Sequence, residues 1–196
     1  MFTHVHSRFG KRMVTIHPGE YFVSGDDEII ATVLGSCIAV AMYDRISGYG
    51  GLNHFMLPGN LDRPDNYLSG SGKYGMFAME LLINGLLKAG CDRKRLRAKV
   101  FGGGSVLRSK PATNGLTIPQ SNIDFALGFL KAEGIQIESQ DVGGVAARKV
   151  FFFPKTAKVL LKRLGGSVKT EVEHEEEEYL SKLQTIRPKQ EDVTLF

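Results

Sequence analysis

The sequence predicts an α+β domain, because short apolar segments of strand length surround two longer segments with helical periodicity. The chain has 196 residues, of which 42% are hydrophobic and 23% charged, so it can bury a core of ordinary size. No apolar run approaches the ~20 residues that a membrane-spanning helix needs. These observations favour one globular domain.

The strands before the first helix are predicted from apolar runs that end at turn residues. Residues 38–43 are continuously apolar, which is typical of a strand buried on both faces. The other predicted strands in this part of the chain occupy residues 19–24, 29–33 and 52–57.

Two helices are predicted from apolar residues at helical spacing. The first spans residues 74–89 and stops at Gly90, and the second begins near Pro119 and ends at Gly134. Short strands are predicted between and after these helices, at residues 98–101, 135–142, 149–153 and 159–161.

The two ends of the chain differ in character from its central part. We expect a flexible lead-in over residues 1–12, a folded domain over residues 13–164 and an acidic tail over residues 165–196. Residues 173–178 hold five glutamates and one histidine. Such low complexity predicts a solvated helix or disorder.

Charge is unevenly distributed between the body and the tail. The net charge is +4, and residues 168–196 contain eight acidic and four basic side chains, so the remainder carries +8. A basic body can attract nucleic acid. However, the basic cluster at residues 93–97 has no interleaved aromatic side chains for base stacking. We therefore predict no nucleic-acid partner.

Cysteine usage and the N-terminus point to a cellular compartment. Two cysteines cannot form the disulfide framework of a small secreted protein. The first residues lack the apolar core of a signal peptide. We therefore expect a cytoplasmic protein without membrane insertion, in which a thiol stays reduced.

Cys37 is the candidate nucleophile. It follows Gly35 and Ser36 between two predicted strands, where a turn can present a thiol to a pocket. Glycine permits a sharp turn, and backbone N–H groups at such a turn can stabilise an oxyanion. A buried cysteine with only a packing role is the alternative.

His54 is the candidate base, seventeen residues after the cysteine. A thiol needs a base to become a thiolate at neutral pH, and histidine is the usual one. Asn53 should face away from the pocket of His54, because neighbours on a strand point to opposite faces. The pair predicts cysteine-based acyl chemistry, for which we expect neither a metal nor another cofactor.

Three further positions are weighed as parts of the pocket. The glycines at residues 102–104 lack the lysine spacing of a phosphate-binding loop, so we expect this segment, Gly103 included, to approach Cys37 or a partner. Asn122 is a candidate polar group of the pocket, with helix capping as the alternative. Cys91 has no nearby histidine and is expected to be structural.

Taken together, these residues resemble the CheD family of chemoreceptor glutamine deamidases of bacterial chemotaxis. The resemblance runs in order over residues 14–164. Its matching stretches are residues 19–20, 34–40, 53–58, 73–75, 99–103, 141–144, 148–150 and 162–164, together with Asn122.

The resemblance implies an activity, a fold and partners. The activity is hydrolysis of particular receptor glutamines to glutamate, and for some members hydrolysis of glutamyl methyl esters, with Cys37 as nucleophile and His54 as base. The fold is a β-sandwich-like mixed-sheet core with flanking helices, similar to bacterial cysteine toxins that deamidate glutamine. The partners are the cytoplasmic region of a chemoreceptor and a CheC-type phosphatase.

The third catalytic position departs from the family pattern. A family threonine six residues before the cysteine falls on Ala31, and the adjacent Thr32 is our candidate for this role. The departure leaves an alternative function open, that of a non-catalytic module that docks on and regulates a CheC-type phosphatase. A nucleic-acid binder is the third hypothesis.

Overall fold

The computed structural model describes residues 1–57, 70–106, 117–165 and 167–185. Within these ranges the chain has the predicted α+β architecture, with strands in two sheets and three α-helices. The strands are β1 (Phe2–His6), β2 (Lys11–Thr15), β3 (Tyr21–Ser24), β4 (Ile29–Leu34), β5 (Ile38–Asp44), β6 (Tyr49–Asn53), β7 (Arg97–Gly102), β8 (Gln136–Val142), β9 (Ala147–Phe153) and β10 (Lys158–Leu164). The helices are α1 (Gly70–Lys88), α2 (Ile118–Ala132) and α3 (Ser167–Thr185).

Each sheet is mixed and has five strands. The first has the order β1-β2-β4-β9-β10 and the second the order β3-β6-β5-β7-β8. The pairs β2–β4 and β7–β8 are parallel, and the remaining pairs are antiparallel. Consecutive strands β4 and β5 lie in different sheets, so the short connection between them crosses from one sheet to the other.

The two sheets pack face to face, and helices cover the outer face of the second one. The core between the sheets is built from alternate residues of facing strands, including Ile30, Leu34, Ala39, Ala41, Tyr43, Val150 and Phe152. The core under α1 and α2 includes Val40, Met42, Leu82, Leu86, Phe125 and Phe129. Strand β5 contributes to both cores and is buried along its whole length, as its continuous apolar run predicts.

Residues 1–12, for which a flexible lead-in was expected, contain strand β1 and the start of β2. Strands β1 and β2 form an antiparallel hairpin in which Phe2 lies opposite Thr15. The ring of Phe9, in the turn of this hairpin, packs edge-on against Phe151 and Phe153 on the outer face of the first sheet. These aromatic contacts attach the hairpin to the first sheet.

The strand expected over residues 52–57 begins and ends earlier, as β6. Two glycines lie inside it because neighbouring side chains leave no room for a Cβ. An added Cβ would lie 2.7 Å from Phe152 at Gly50 and 2.7 Å from Leu82 at Gly51. The strand ends at Asn53, and His54 is the first residue beyond it.

The acidic segment after residue 165 begins with helix α3, which packs against the body of the domain. Val172 and Leu183 on this helix are 5% and 7% exposed. None of the helices in the described ranges is long and apolar enough to span a bilayer.

Candidate functional site

The connection between β4 and β5 holds the candidate nucleophile, and we call residues 35–37 the cysteine loop. All three of its carbonyl groups accept hydrogen bonds from one side. Gly104 N donates to Gly35 O at 2.6 Å, and Gly103 N donates to Cys37 O at 2.7 Å. Asn122 Nδ2 donates to Ser36 O at 2.9 Å. These three hydrogen bonds hold the backbone of the cysteine loop in place.

Asn122 links the cysteine loop to the chain segment that carries His54. Its side chain is fully buried, and its Oδ1 accepts a hydrogen bond from Leu57 N at 2.8 Å. The amide therefore holds both segments at once. The cap of helix α2 is instead Thr117, so Asn122 is not needed to cap the helix.

The glycines at the end of β7 and just after it lie directly against the cysteine loop, which is one of the two placements expected from the sequence. Gly102 has φ +116°, and a Cβ there would lie 2.1 Å from Cys37 O. Gly103 has φ +65°, and its Cβ would meet Ile123 at 2.4 Å. Both positions combine a left-handed backbone with a close approach, which only glycine tolerates.

The N–H groups of the cysteine loop converge on one carboxylate, and we call the N–H groups of Gly35, Ser36 and Cys37 the amide cradle. Glu176 Oε1 accepts from Gly35 N at 2.8 Å and Cys37 N at 3.1 Å. Glu176 Oε2 accepts from Ser36 N and from Ser36 Oγ, each at 2.7 Å. Such a cluster of N–H donors is suited to an oxyanion or a carboxylate.

His54 is positioned by backbone pairing next to β3. Its N–H donates to Glu20 O at 2.9 Å, and its carbonyl accepts from Gly19 N at 2.8 Å. The preceding Asn53 faces the opposite side, where its Oδ1 accepts from Val40 N and its Nδ2 donates to Ala78 O on α1. The expected alternation of these two neighbours is therefore observed.

Thr32 determines which nitrogen of His54 carries the proton. Thr32 Oγ1 donates its single proton to Ile16 O at 2.8 Å and lies 2.7 Å from His54 Nδ1. His54 Nδ1 must therefore be the donor of the second contact, so Nε2 is left with a lone pair. Nε2 is buried and has no hydrogen-bond partner in the described part of the chain.

The strand register explains why Thr32 and not Ala31 contacts His54. Alternate residues of β4 face opposite sides of the first sheet. Ala31 joins Met13 and Ile29 in a cluster on the outer side. Thr32 is fully buried on the side of the site.

Cys37 and His54 are both buried and close together. The sulfur of Cys37, one ring nitrogen of His54 and one oxygen of Glu176 all lie within 4.8 Å of one another. Burial, with a smaller contribution from His17, lowers the pKa of His54 to about 3. Burial and then the neighbouring Glu176 carboxylate raise the pKa of Cys37. Both pKa shifts favour the uncharged forms of the pair, a thiol and a neutral imidazole.

The same three side chains offer thiolate, imidazole and carboxylate ligands of the kind that bind transition metals. The amide cradle argues against this use. Both oxygens of Glu176 already accept N–H groups, whose positive ends are directed at the same point. An anion fits that environment better than a cation.

Glu176 is the residue of the site that sequence reasoning missed. It lies in the low-complexity acidic segment, where each glutamate taken alone is expected to be solvated. The sequence nevertheless contains a pattern that could have indicated its burial. Its helical spacing with three apolar or aromatic residues places all four on one face of a helix: Val172, Glu176, Tyr179 and Leu183.

The site therefore contains a buried thiol, an imidazole with a free lone pair and a set of N–H donors directed at one point. These are the parts of a thiol-dependent acyl-transfer site.

Sequence comparisons identify the family. The family described as CheD chemotactic sensory transduction matches residues 56–163. A protein of Herminiimonas arsenicoxydans named probable chemoreceptor glutamine deamidase CheD is 45% identical over 177 residues, covering 90% of this chain and 86% of that protein. A protein of the same name from Thiobacillus denitrificans is 47% identical over 170 residues, covering 87% of this chain and 83% of its own length. The chain belongs to the CheD family.

Two further comparisons complete the description. A probable chemoreceptor glutamine deamidase CheD 1 of Shewanella oneidensis is 42% identical over 188 residues, covering 96% of this chain and 89% of that protein. Among solved structures, the hypothetical protein YfiH of Bacillus licheniformis is 14% identical with a TM-score of 0.40, covering 67% of this chain and 59% of that one.

Proposed function

We propose that this protein hydrolyses the side-chain amide of specific glutamines on chemoreceptors, giving glutamate and ammonia. The observation that carries the proposal is the convergence of the amide cradle, the Cys37 thiol and the His54 imidazole at one buried point. Relatives that are 42–47% identical over most of this chain are named as probable chemoreceptor glutamine deamidases. The site supplies the chemistry that this name requires.

The first half of the reaction forms a thioester. His54 Nε2 takes the proton of Cys37, and the thiolate attacks the carbon of the substrate amide. The amide oxygen becomes an oxyanion, which the amide cradle stabilises with N–H groups already in position. His54 then gives its proton to the departing nitrogen, so that ammonia leaves and the acyl group remains on the sulfur.

The second half of the reaction consumes water. His54 Nε2 removes a proton from a water molecule, which attacks the thioester carbon through a second oxyanion in the amide cradle. The carbon–sulfur bond breaks, the product carboxylate leaves and Cys37 is regenerated. Since a glutamyl methyl ester presents the same carbonyl carbon, the same residues would hydrolyse it with loss of methanol.

Thr32 is proposed as the third member of the site. By accepting a hydrogen bond from Nδ1–H, Thr32 holds the imidazole in the tautomer that leaves Nε2 free for proton transfer. A hydroxyl in this position orients the ring without adding a charge. Gly103 and Asn122 are proposed to hold the cysteine loop in the shape that forms the amide cradle.

The proposed setting is the cytoplasm, where the substrate would be the cytoplasmic region of a chemoreceptor. A CheC-type phosphatase is proposed as a second partner, on the basis of the family resemblance. No contact in the described residues identifies the surface that such a phosphatase would use.

The test is mass spectrometry of a receptor cytoplasmic fragment incubated with the full-length protein. We expect a gain of about 1 Da for each glutamine converted to glutamate. The control is the Cys37→Ala variant, which should leave the fragment unchanged. A receptor fragment that binds the protein and keeps its mass would instead support the non-catalytic docking function.

A further inference from the structure

Helix α3 presents one acidic residue in an otherwise apolar buried face. Val172 and Leu183 are buried against the body, and Tyr179 shares a short hydroxyl hydrogen bond with Tyr74 on α1. Glu176 lies between these contacts and is only 2% exposed, whereas its neighbours Glu175 and Glu177 are exposed. The helix is therefore docked on the body in a register that brings Glu176 to the site.

A buried carboxylate is costly unless its charge is compensated. The four donors of the cysteine loop supply that compensation, three of them from the amide cradle and one from the Ser36 hydroxyl. The three N–H groups of the amide cradle are the donors that the proposed reaction needs for its oxyanion. While Glu176 accepts their hydrogen bonds, no substrate carbonyl can.

The side chain docked at the amide cradle, that of Glu176, is chemically the same as the product of the proposed reaction. Glutamate is the product of glutamine hydrolysis, and Glu176 places its carboxylate in contact with the amide cradle and within 4.8 Å of the Cys37 sulfur. The docked helix thus occupies the position that a freshly formed product would occupy before it leaves.

We propose that α3 is an intramolecular inhibitor, which blocks the active site with Glu176 as a product mimic and must undock before a substrate can bind. This inference rests on the proposed function. Burial is the main cause of the raised pKa of Cys37, and the Glu176 carboxylate raises it further while the helix is docked. Undocking frees the amide cradle and removes that charge in one step.

The structure also indicates what kind of side chain the site accepts. Glu176 reaches the amide cradle from the surface of a helix, with Val172 one turn before it and Tyr179 one turn after it. A glutamine on the surface of a helix can therefore reach Cys37 in the same way. Replacing Glu176 with glutamine converts the inhibitor into such a substrate.

The first experiment compares Glu176→Ala with Glu177→Ala in the full-length chain. Both variants remove one negative charge from α3, but only the first removes the carboxylate from the amide cradle. The readout is the rate at which iodoacetamide alkylates Cys37, measured by peptide mass spectrometry, with Cys91 as the internal reference. We expect Glu176→Ala to raise the Cys37 rate by about tenfold or more, since hydrogen bonds to a charged group commonly shift an equilibrium by that factor.

The same two variants are then assayed on the receptor fragment. Glu176→Ala should raise kcat/KM by a factor similar to its effect on alkylation, and Glu177→Ala should match the unmodified protein. Equal Cys37 alkylation in all three proteins would overturn the inhibitor proposal and leave the proposed function intact. Faster alkylation without deamidation by any variant would overturn the proposed function and retain α3 as an occupant of the site.

The second experiment uses Glu176→Gln and the double variant Cys37→Ala/Glu176→Gln. Hydrolysis of the new amide by Cys37 consumes one water, releases ammonia and restores glutamate, so the single variant should gain about 1 Da on standing. The double variant should keep its mass. A single variant that keeps its glutamine while deamidating the receptor fragment would contradict the product-like placement of residue 176.

Discussion

The protein holds two free cysteines, and their surroundings differ in every respect except burial. Cys37 lies in the cysteine loop, beside His54 and at the amide cradle. Cys91 follows α1 within the core under the helices, and its sulfur lies 3.3 Å from Ser47 Oγ. Burial raises the pKa of both thiols. A low accessible surface therefore says nothing about which thiol is the nucleophile.

The difference indicates that the reactivity proposed for Cys37 depends on its loop and not on the residue type alone. Three carbonyl groups of the cysteine loop accept hydrogen bonds from Gly103, Gly104 and Asn122. This support directs three N–H groups at one point and places the sulfur near a base. Cys91 has packing neighbours and a hydroxyl partner, which suffice for a structural role.

The largest expected effect is the difference in deamidation activity between variants of the two cysteines. Cys37→Ala should lower kcat/KM for receptor deamidation by at least about 10³-fold, because the covalent intermediate can no longer form. Cys91→Ala should keep the activity, with a small loss of stability from the vacated space. Mass spectrometry of the receptor fragment measures the first effect, and thermal unfolding the second. Comparable activity losses in both variants would contradict a catalytic role for Cys37 and a structural role for Cys91.

Replacement of the proposed base, His54, is expected to give the next largest loss of activity. His54→Gln should lower kcat by about 10² to 10⁴-fold, the usual contribution of a positioned general acid–base. His17 is exposed and is the matched control, since His17→Gln removes an imidazole close by without touching the thiol. Equal rates for the two variants, measured with saturating receptor fragment, would remove His54 from the mechanism.

The positioning role of Thr32 is expected to give an intermediate effect. Thr32→Val keeps the shape of the side chain but leaves His54 Nδ1 and Ile16 O without their partner, so kcat should fall by about tenfold. Thr32→Ser restores the hydroxyl and should restore most of the rate. The pH profile of kcat should shift in Thr32→Val and return in Thr32→Ser. Equal rates and profiles for both variants would assign Thr32 a packing role only.

The smallest effect concerns stability against pH. The pKa of His54 falls from 6.5 to about 3 on folding, so between these pH values the unfolded chain binds the proton that the folded chain excludes. The free energy of unfolding should therefore decrease as pH falls through this window, by at most about 1.4 kcal/mol per pH unit from this group. Urea unfolding at several pH values should show a shallower slope for His54→Gln. Identical slopes for the two proteins would mean that His54 is protonated in the folded state.

The amino-acid sequence by itself predicted most of the elements and the candidate catalytic pair. Apolar runs and helical spacing predicted most of the strands, α1 and α2, because burial of a strand or a helix face leaves a local period in the sequence. The Gly-Ser-Cys turn indicated Cys37 as the candidate nucleophile, and the need of a thiol for a base indicated His54 as the candidate base. These inferences depend on residues that are neighbours in the chain or carry distinctive chemistry.

Only the tertiary structure decided the partners that complete the site. Thr32 contacts His54 and Ala31 does not, because the register of β4 in the first sheet determines which of its alternating residues face the interior. Asn122 lies 86 residues from its partner Ser36, and Glu176 lies 141 residues from Gly35. No local pattern reports such distances along the chain. The burial of one glutamate in an acidic run follows from where α3 docks, which packing and hydrogen bonding to the body decide.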